Sequence, residues 1–448
     1  MKAKKLLALV LALVLCVSLL AACTAKTPAS TEQPAATDAP ATDAPAAEQP
    51  KEDAAPAEKT KIVYWHAYTD QHEEKILELI DAFNQSQNEY ELVAEQQPYS
   101  EIDSKIMQSV RNGTGPDLVN MYPSDAVNYL NEGSLYDLAP FINDPEIGIP
   151  NFKDNVPAGQ YAEVTQWGDG IYVFPCTTAG EVLFYNKTMF DKYGLSAPTT
   201  WTELEACSKV IHENEGIPGF GTDSVVDTYQ CLIMQAGSGY IDADGNYAID
   251  ETIAKEKLNW FADNVKEGSF RLVGEDAFFS GPFGSQAVAS YIGSSAGVSY
   301  VEASVGDAFE IGCVPIPQEG PVRYISSWGN NFACLSKDEQ HARGAYLFLK
   351  FLGSTDHVIE WAKAFGTVPI YKEARESAEF QEFANTNIAL KALTEEVDDI
   401  GMLASVPGAA DMRTEIDKLV QGVALGTTDT DTAYAAFETA CKDDLASK

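Results

Sequence analysis

The chain has 448 residues, of which 45% are hydrophobic and 22% are charged. It carries 30 lysines and arginines against 67 aspartates and glutamates, a formal net charge of −37 at pH 7. A surface this acidic repels nucleic acid and anionic lipid, and no basic stripe offsets it. The composition therefore excludes a nucleic-acid-binding protein and predicts a soluble folded part outside the cell.

The start of the chain has the layout of an export signal. Three lysines precede an apolar run over 6–20, which is shorter than the roughly 20 residues that a transmembrane helix needs. The run ends in Leu20-Ala21-Ala22-Cys23, which resembles the lipobox of bacterial lipoproteins, where the cysteine is acylated and becomes the mature N-terminus. We therefore predict a lipoprotein signal peptide over 1–22 and a palmitate-bearing Cys23. An ordinary signal peptide is the alternative.

The segment after Cys23 has the composition of a spacer. Residues 24–59 consist almost wholly of Ala, Pro, Thr, Asp, Glu and Lys, without an aromatic residue, Ile, Leu or Val. Such a segment cannot bury enough apolar surface to fold, and its prolines and like charges keep it extended. We predict a disordered linker over 23–59 and a folded part that begins near residue 60. The mature protein is then lipid-anchored at the extracellular face of the cell membrane, or periplasmic where the cell has an outer membrane.

Six cysteines remain once Cys16 is removed with the signal and Cys23 is lipidated. None forms a Cys-x-x-Cys pair or lies at zinc-finger spacing from a histidine, so we predict no metal site and no cofactor. Disulfide pairing in an exported protein is the alternative, and the sequence does not decide the connectivity. We expect buried free thiols at Cys176, Cys207, Cys231, Cys313, Cys334 and Cys441.

Strands and helices alternate from the start of the folded part. A buried strand is predicted over 61–65, and Asp70-Gln71-His72-Glu73 is a capping-box pattern that opens an amphipathic helix. A strand near 90–96, a helix capped by Ser100 and a strand over 117–121 follow. This alternation predicts a parallel sheet covered by helices. The predicted inward residues are Ile76, Leu79, Ile80 and Phe83 on the first helix, and Ile102, Ile106, Met107 and Val110 on the second.

A second run of strands and helices follows residue 170. It includes a strand over 182–185 and a helix opened by Thr200-Trp201-Thr202-Glu203. Two α/β units imply a cleft between them, and ligands of open α/β sheets bind beyond the carboxyl ends of the strands. The loops predicted to line the site are 65–69, 97–100, 121–125 and 175–181.

Five stretches of the folded part carry a family resemblance. They are Ile62-Val63-Tyr64-Trp65-His66-Ala67, Gly113-Thr114-Gly115-Pro116-Asp117-Leu118, Phe184-Tyr185-Asn186-Lys187-Thr188-Met189-Phe190, Ala197-Pro198-Thr199-Thr200-Trp201-Thr202-Glu203-Leu204 and Gly366-Thr367-Val368-Pro369. The tyrosine-asparagine-lysine stretch followed by Thr-Trp-x-Glu is the most specific part. In these stretches, and in their order, the chain is similar to the extracellular solute-binding proteins of bacterial ABC importers, the family that includes maltose- and glycerol-3-phosphate-binding proteins.

The resemblance implies an α/β fold of the type II periplasmic-binding-protein kind, with two discontinuous lobes and a hinged cleft between them. Lobe one then comprises 60–170 and 312–374, and lobe two comprises 171–311 and 375–448. The resemblance also implies a monomer that binds a small-molecule solute, here a sugar, between the lobes. The closed form then docks on the membrane subunits of an ABC permease, and no bond is broken.

A sugar presents hydroxyls that need hydrogen bonds and a C–H face that prefers an aromatic ring. The strand-end loops supply both kinds of group, and Ser326-Ser327-Trp328-Gly329-Asn330-Asn331 suits a stacking platform. Alignment with the glycerol-3-phosphate binder adds further positions. Each choice has a structural alternative: core packing for the aromatics, a turn around Trp328, and a surface salt bridge for Arg413. The predicted ligand-binding residues are Trp65, His66, Tyr68, Tyr99, Tyr122, Ser124, Thr178, Gly293, Trp328, Gly329, Asn330, Thr367 and Arg413.

Two other functions stay open. A binder of glycerol 3-phosphate or another polyol phosphate belongs to the same family, although a polyanion wants several cations and only Arg413 is apparent. A surface glycoside hydrolase needs two carboxylates at about 5–10 Å across a cleft, which so many acidic residues allow. Cys176 and His66 as nucleophile and base lack any sign of an oxyanion hole, and the histidines form no HExxH motif. We predict an oligosaccharide-binding protein rather than an enzyme.

Overall fold

The structure is a computed structural model that describes residues 58–446 except 100, 243, 336–337 and 402–403. The predicted signal peptide, the lipidated Cys23, most of the linker and the helix cap at Ser100 lie outside the described residues. Within these ranges, no helix is long and apolar enough to cross a membrane.

The strands of the described chain join in one sheet of ten strands. Their order along the sheet is β2-β1-β3-β9-β4-β7-β5-β6, and β8 and β10 also pair with β4. The strands are β1 (Thr60–His66), β2 (Tyr90–Gln96), β3 (Leu118–Asn120), β4 (Val173–Asn186), β5 (Phe220–Thr222), β6 (Phe270–Arg271), β7 (Ser290–Ser294), β8 (Ile311–Pro315), β9 (Ser327–Cys334) and β10 (Val368–Pro369).

Helices connect and cover the strands. Those between β1 and β4 are α1 (Asp70–Ser86), α2 (Ile102–Asn112), α3 (Pro123–Leu130), α4 (Ala139–Ile142), α5 (Phe152–Asn155) and α6 (Ala158–Val164). Those between β4 and β8 are α7 (Lys187–Lys192), α8 (Trp201–Glu215), α9 (Val225–Gln235), α10 (Glu251–Glu267), α11 (Ser280–Gly284) and α12 (Val298–Val305). After β9 come α13 (Glu339–Leu352), α14 (Thr355–Phe365), α15 (Lys372–Arg375), α16 (Ala378–Ala384), α17 (Ile388–Glu396), α18 (Ala409–Ala424) and α19 (Thr430–Ala446).

The first three strands confirm the predicted parallel arrangement. β1 pairs in parallel with β2 over its whole length, from Thr60 opposite Tyr90 to His66 opposite Gln96. β1 also pairs in parallel with β3, so the carboxyl ends of all three strands lie at one edge of the sheet. β9 runs antiparallel to β3 and therefore begins at that same edge.

Strand β4 is longer than the predicted strand over 182–185, and its residues are buried almost throughout. Its pairing with β9 shifts register between Pro175 and Thr177, but the strand continues through this irregularity. Its first half, up to Gly180, pairs with β9, and residues 181–186 pair with β7 and β8. One continuous strand, β4, therefore joins the group β2, β1, β3 and β9 to the group β7, β5, β6 and β8. The mixed α/β class that the sequence predicts is confirmed.

The sequence predicts the buried faces of the helices better than their N-caps. Ile76, Leu79, Ile80 and Phe83 are the buried residues of α1, as predicted. The predicted capping box is wrong, because Asp70 is already the first helical residue and Thr69, at the N-cap position, makes no side-chain cap. On α2 the predicted inward residues Ile102 and Ile106 are buried, while Met107 and Val110 are half-buried. On α8 the Thr200 hydroxyl accepts the Glu203 amide as predicted.

The six cysteines of the described chain form no disulfide with one another. Five are buried and Cys313 is half-buried. Burial raises the pKa of the Cys176 thiol, which disfavours the reactive thiolate. No group of three or more His, Cys, Asp or Glu that could hold a metal ion occurs among the residues that the structure describes.

Candidate functional site

A cavity of about 400 Å³ lies where β1 and β3 end and β9 begins. Its position follows the strand-end rule, because the loops and helix starts after parallel strands converge at that edge. The loop after β1, the first turns of α2 and α3, and the start of β9 supply the lining. The lining residues are Ala67, Tyr68, Tyr99, Ile102, Asp103, Ile106, Met107, Asn120, Met121, Tyr122, Asp125, Asn128, Tyr129, Gly329, Asn330 and Asn331.

Hydrogen bonds fix the polar wall of the cavity. The Tyr68 hydroxyl donates to Asn330 Oδ1 at 3.2 Å and accepts from Asn120 Nδ2 at 2.9 Å. Tyr64 donates to the Asn120 carbonyl oxygen at 2.7 Å, and Asn330 Nδ2 donates to Thr177 at 3.1 Å. The two amides are therefore held in place before any ligand arrives, which lowers the ordering cost of binding.

Aromatic side chains hold the rest of the wall. Trp361 and Phe365 pack edge-on against Tyr68, with ring centroids at 5.6 and 4.9 Å. Tyr122 meets Trp328 edge to face at 5.4 Å and is 41% exposed, while Tyr99 is 81% exposed. These two tyrosines thus offer free ring surface at the cavity, whereas Tyr68 is anchored from behind.

The electrostatic character of the lining is negative. It contains Asp103 and Asp125 but no lysine, arginine or histidine. Burial, and then the charge of Asp103, raise the pKa of Asp125. Burial, together with these two carboxylates, raises the pKa of Tyr129 to about 12. The cavity can therefore accept neutral or positively charged polar molecules with C–H faces, and it repels anions.

A charged network adjoins the cavity behind Trp328. The Arg413 guanidinium lies over the Trp328 ring, 4.7 Å from its centroid. The same guanidinium donates to both carboxylate oxygens of Asp227, at 3.0 and 3.1 Å. The hydroxyls of Ser224 and Ser326 also donate to Asp227, at 2.6 and 2.8 Å. The single cation that the sequence marks for ligand binding is thus paired with a buried carboxylate.

Two further acids lie next to this network, Glu181 in the second half of β4 and Asp223 directly after β5. Burial raises the pKa of Glu181 well above its ordinary value, with smaller contributions from Asp227 and Asp223, while Arg413 acts in the opposite direction. Glu181 is 5% exposed, and one of its carboxyl oxygens has no hydrogen-bond partner in the described chain. Burial also raises the pKa of Asp223 to about 6. A Cβ at Gly293 would lie 2.5 Å from this carboxyl group, so Gly293 leaves room for it.

The predicted site residues fall into three groups. Tyr68, Tyr99, Tyr122, Gly329 and Asn330 line the cavity, and Trp328 and Arg413 form the network beside it. The other predicted residues do not line it, and most of them have a structural explanation. They are Trp65, which donates to Glu95; His66, buried beside Tyr64 and Tyr68; Ser124; Thr178, whose hydroxyl donates to the Ala179 carbonyl; Gly293, paired with Val182; and Thr367, buried with no partner for its hydroxyl among the described residues.

Sequence reasoning missed the helical part of the lining. Asp103 on α2, and Asn128 and Tyr129 on α3, line the cavity although they lie beyond the predicted loops, while Asp125 lies within the predicted loop 121–125 but was not chosen. The signal was available for Asp103, because the first turn of a helix that follows a strand-end loop stays at the same edge of the sheet. Asn120 is missed for a similar reason, since it is the last residue of β3 and was counted as strand.

Comparison with known families places the chain among binding proteins. Residues 78–389 match the family described as bacterial extracellular solute-binding protein. The sn-glycerol-3-phosphate-binding periplasmic protein UgpB of Rhizobium meliloti (strain 1021) is 24% identical over 400 residues, which cover 81% of this chain and 92% of that protein. UgpB of Agrobacterium fabrum (strain C58 / ATCC 33970) is 25% identical over 345 residues, covering 74% and 78%.

Solved structures share the fold at low sequence identity. The cyclic alpha-maltosyl-1,6-maltose binding protein from Arthrobacter globiformis superposes with a TM-score of 0.78 at 21% identity, covering 87% of this chain and 100% of that one. The GacH receptor of Streptomyces glaucescens GLA.O gives a TM-score of 0.73 at 18% identity, covering 86% and 98%. The overall architecture, including the division into two lobes, is that of these neighbours.

Proposed function

Because the chain belongs to the bacterial extracellular solute-binding proteins, we propose that it captures a carbohydrate in the form of an oligosaccharide. It then delivers this oligosaccharide to the membrane subunits of an ABC importer. The observation that carries this proposal is the cavity at the carboxyl edge of β1 and β3. It combines free tyrosine faces with side-chain amides held in place by hydrogen bonds. This combination suits a molecule with hydroxyls around its rim and C–H groups on its faces.

The charge of the cavity favours a carbohydrate over glycerol 3-phosphate, the ligand named for the UgpB relatives. A phosphate ligand needs cationic or backbone N–H donors, and the described lining contains two carboxylates and no cation. Arg413 does not supply the missing charge, because Asp227 engages its guanidinium through both oxygens. The solved neighbours named for maltose-type sugars and acarbose agree with this choice.

Strand β4 supports the proposed division of lobes. The sequence predicts 60–170 with 312–374 as lobe one, and 171–311 with 375–448 as lobe two. Since Gly180 pairs with β9 and Glu181 with β7, we propose that β4 crosses between the lobes there, which favours moving the first boundary from 170 to Gly180. β8 pairs with the far half of β4, which favours moving the second boundary from 312 to just after Pro315. Hinge motion about such a crossing would close the lobes on the solute.

The proposed site needs neither a catalyst nor a cofactor. Cys176, the nucleophile considered from the sequence, is fully buried, and burial raises the pKa of its thiol. Asp103 and Asp125 are the carboxylates that a glycoside hydrolase would have to use at this cavity. We propose that the protein is monomeric and binds its sugar without cleaving it. Release of cleavage products from a bound sugar would contradict this proposal.

A thermal-shift screen of the purified protein tests the proposed function. A neutral or basic oligosaccharide should raise the melting temperature, because a ligand at a hundredfold excess over its Kd stabilises the folded state by about 2.7 kcal/mol. Glycerol 3-phosphate should produce no shift. Stabilisation by glycerol 3-phosphate and by none of the sugars would refute the carbohydrate assignment.

Tyr122→Ala locates the site within the same screen. It removes a free ring at the cavity and should weaken the stabilising sugar, while Tyr300→Ala serves as the matched control because Tyr300 is 71% exposed and lies outside the lining. Equal shifts in both variants would place the site elsewhere. Thin-layer or mass analysis of the recovered sugar would reveal hydrolysis and so distinguish a glycoside hydrolase from a binding protein.

We also propose that Cys23 carries a lipid anchor. The motif Leu20-Ala21-Ala22-Cys23 and the spacer composition of 24–59 support this, and they make anchoring independent of folding. Cys23→Ala should move the protein from the membrane fraction to the soluble fraction without changing its melting temperature. An acylated N-terminal cysteine should appear in the mass spectrum of the wild type. A Cys23→Ala protein that stays membrane-bound contradicts the proposal.

A further inference from the structure

The two helices that line the cavity, α2 and α3, each carry an acidic side chain that no cation neutralises in the described chain. Asp103 lies on α2 and Asp125 on α3, and within the described chain neither carboxylate has an ion pair or a hydrogen bond. The two cations on α2 are engaged elsewhere. Lys105 Nζ lies 3.1 Å from Glu101, and Arg111 lies 3.6 Å from Glu132. The cavity therefore presents two acids that no cation of the described chain pairs with, so both are available to a cationic ligand.

The lack of an ion-pair partner costs more free energy at Asp125 than at Asp103, because Asp125 is more buried. Asp103 is exposed, but Asp125 is half-buried, and its pKa is raised by burial and by Asp103. The hydroxyls of a neutral sugar can donate hydrogen bonds to such a carboxylate, but they leave its charge uncompensated. A positive charge on the ligand removes the repulsion between the two acids and offsets the burial of one of them.

Four tyrosines complete the surroundings of these acids. Tyr68, Tyr99, Tyr122 and Tyr129 all line the cavity, and the negative face of an aromatic ring attracts cations. Tyr129 lines the cavity, and no hydrogen bond of its hydroxyl occurs within the described chain. A ligand oxygen in the cavity can therefore accept a hydrogen bond from this hydroxyl.

We propose that the solute of this cavity is cationic, a carbohydrate that carries a protonated amine. The ammonium group lies against Asp125, with Asp103 adding to the negative potential and the tyrosine faces around it. The hydroxyls of the sugar bind the amides of Asn120 and Asn330. This inference rests on the proposed function and names the charge class of the ligand at the same site.

Titration calorimetry on the detergent-purified full-length protein tests the charge class. The probes are glucosamine, galactosamine, mannosamine and the trimer of glucosamine, each beside the parent sugar in which a hydroxyl replaces the amine. The measurement is made below the pKa of the amines. At least one amine should bind about tenfold or more tightly than its parent. Its advantage should shrink as the salt concentration rises, because exposed charge pairs are screened.

Three variants locate the charge. Asp125→Asn keeps the shape of the side chain and should remove most of the preference for the amine, and Asp103→Asn should remove a smaller part. Asp81→Asn removes the same charge from an exposed position on α1 and should leave the preference unchanged. A melting curve of each variant shows whether it is folded, and Asp103→Asn keeps the test decisive if Asp125→Asn is not.

Each contrary result has a distinct meaning. Binding of parent sugars as tight as that of the amines overturns the cationic ligand and leaves the carbohydrate function standing. Binding of no sugar of either kind overturns both. A preference for amines that survives in both Asp125→Asn and Asp103→Asn overturns the assignment of the charge to this cavity.

Discussion

Arg413→Ala lowers the free energy of unfolding by about 3–5 kcal/mol, because it leaves a buried carboxylate without its cation. The side chain of Asp227 is 4% exposed, and the Arg413 guanidinium contacts both of its oxygens. The hydroxyls of Ser224 and Ser326 remain bonded to Asp227, which favours the lower end of that range. Urea unfolding of the wild type and the variant, without ligand, measures the difference.

A double-mutant cycle separates the ion pair from the loss of packing on Trp328. Asp227→Asn removes the buried charge, so Arg413→Ala should cost much less in that background than in the wild type. Arg413→Lys keeps the charge but cannot contact Asp227 through one nitrogen and Gln230 through another, so it should fall between the wild type and Arg413→Ala. An equal cost of Arg413→Ala in both backgrounds would show that packing, and not the ion pair, carries the stability.

Glu181→Gln changes the pH dependence of stability, because burial raises the pKa of Glu181 well above the ordinary value of 4.5. The unfolded chain loses this proton near pH 4.5, while the folded protein keeps it up to the raised pKa. Between these two pH values the unfolded state binds fewer protons, so the Glu181 contribution to stability falls by about 1.4 kcal/mol per pH unit as the pH rises. The variant does not have this loss.

The measurement is a set of urea unfolding curves from pH 4.5 upward. The stability of Glu181→Gln minus that of the wild type should increase with pH across the window. Glu396→Gln should behave in the same way, since burial also raises the pKa of Glu396 well above its ordinary value. Glu91→Gln, at an exposed position on β2, is the matched control. Parallel curves for Glu181→Gln and the control would show that Glu181 is ionised in the folded protein.

The strands and the buried face of the first helix could be predicted because their signals are local. Alternating strands and helices, the spacing of Ile76, Leu79, Ile80 and Phe83, and the Thr200 cap all lie within a few residues of one another. The strand-end rule then locates the cavity correctly, since it follows from the parallel order of β1, β2 and β3 alone.

The side chains that complete the cavity could not be chosen in the same way. His66 and Tyr68 come from one predicted loop, yet His66 is 1% exposed and Tyr68 faces the cavity. The position of Tyr68 depends on the side chains that pack against it, namely Trp361 and Phe365 about 300 residues later in the chain. Short-range patterns carry no information about such partners.

By itself, the sequence determined the α/β class, the family and the edge of the sheet where the cavity lies, and it predicts the export signal and the lipobox. Each of these depends on composition or on residues close together in the chain. Only the tertiary structure decided the charge of the cavity. It pairs Arg413 with Asp227, 186 positions away, and leaves Asp103 and Asp125 without partners in the described chain. A count of 30 basic and 67 acidic residues cannot show this, since the charge at a site depends on which groups the fold brings together.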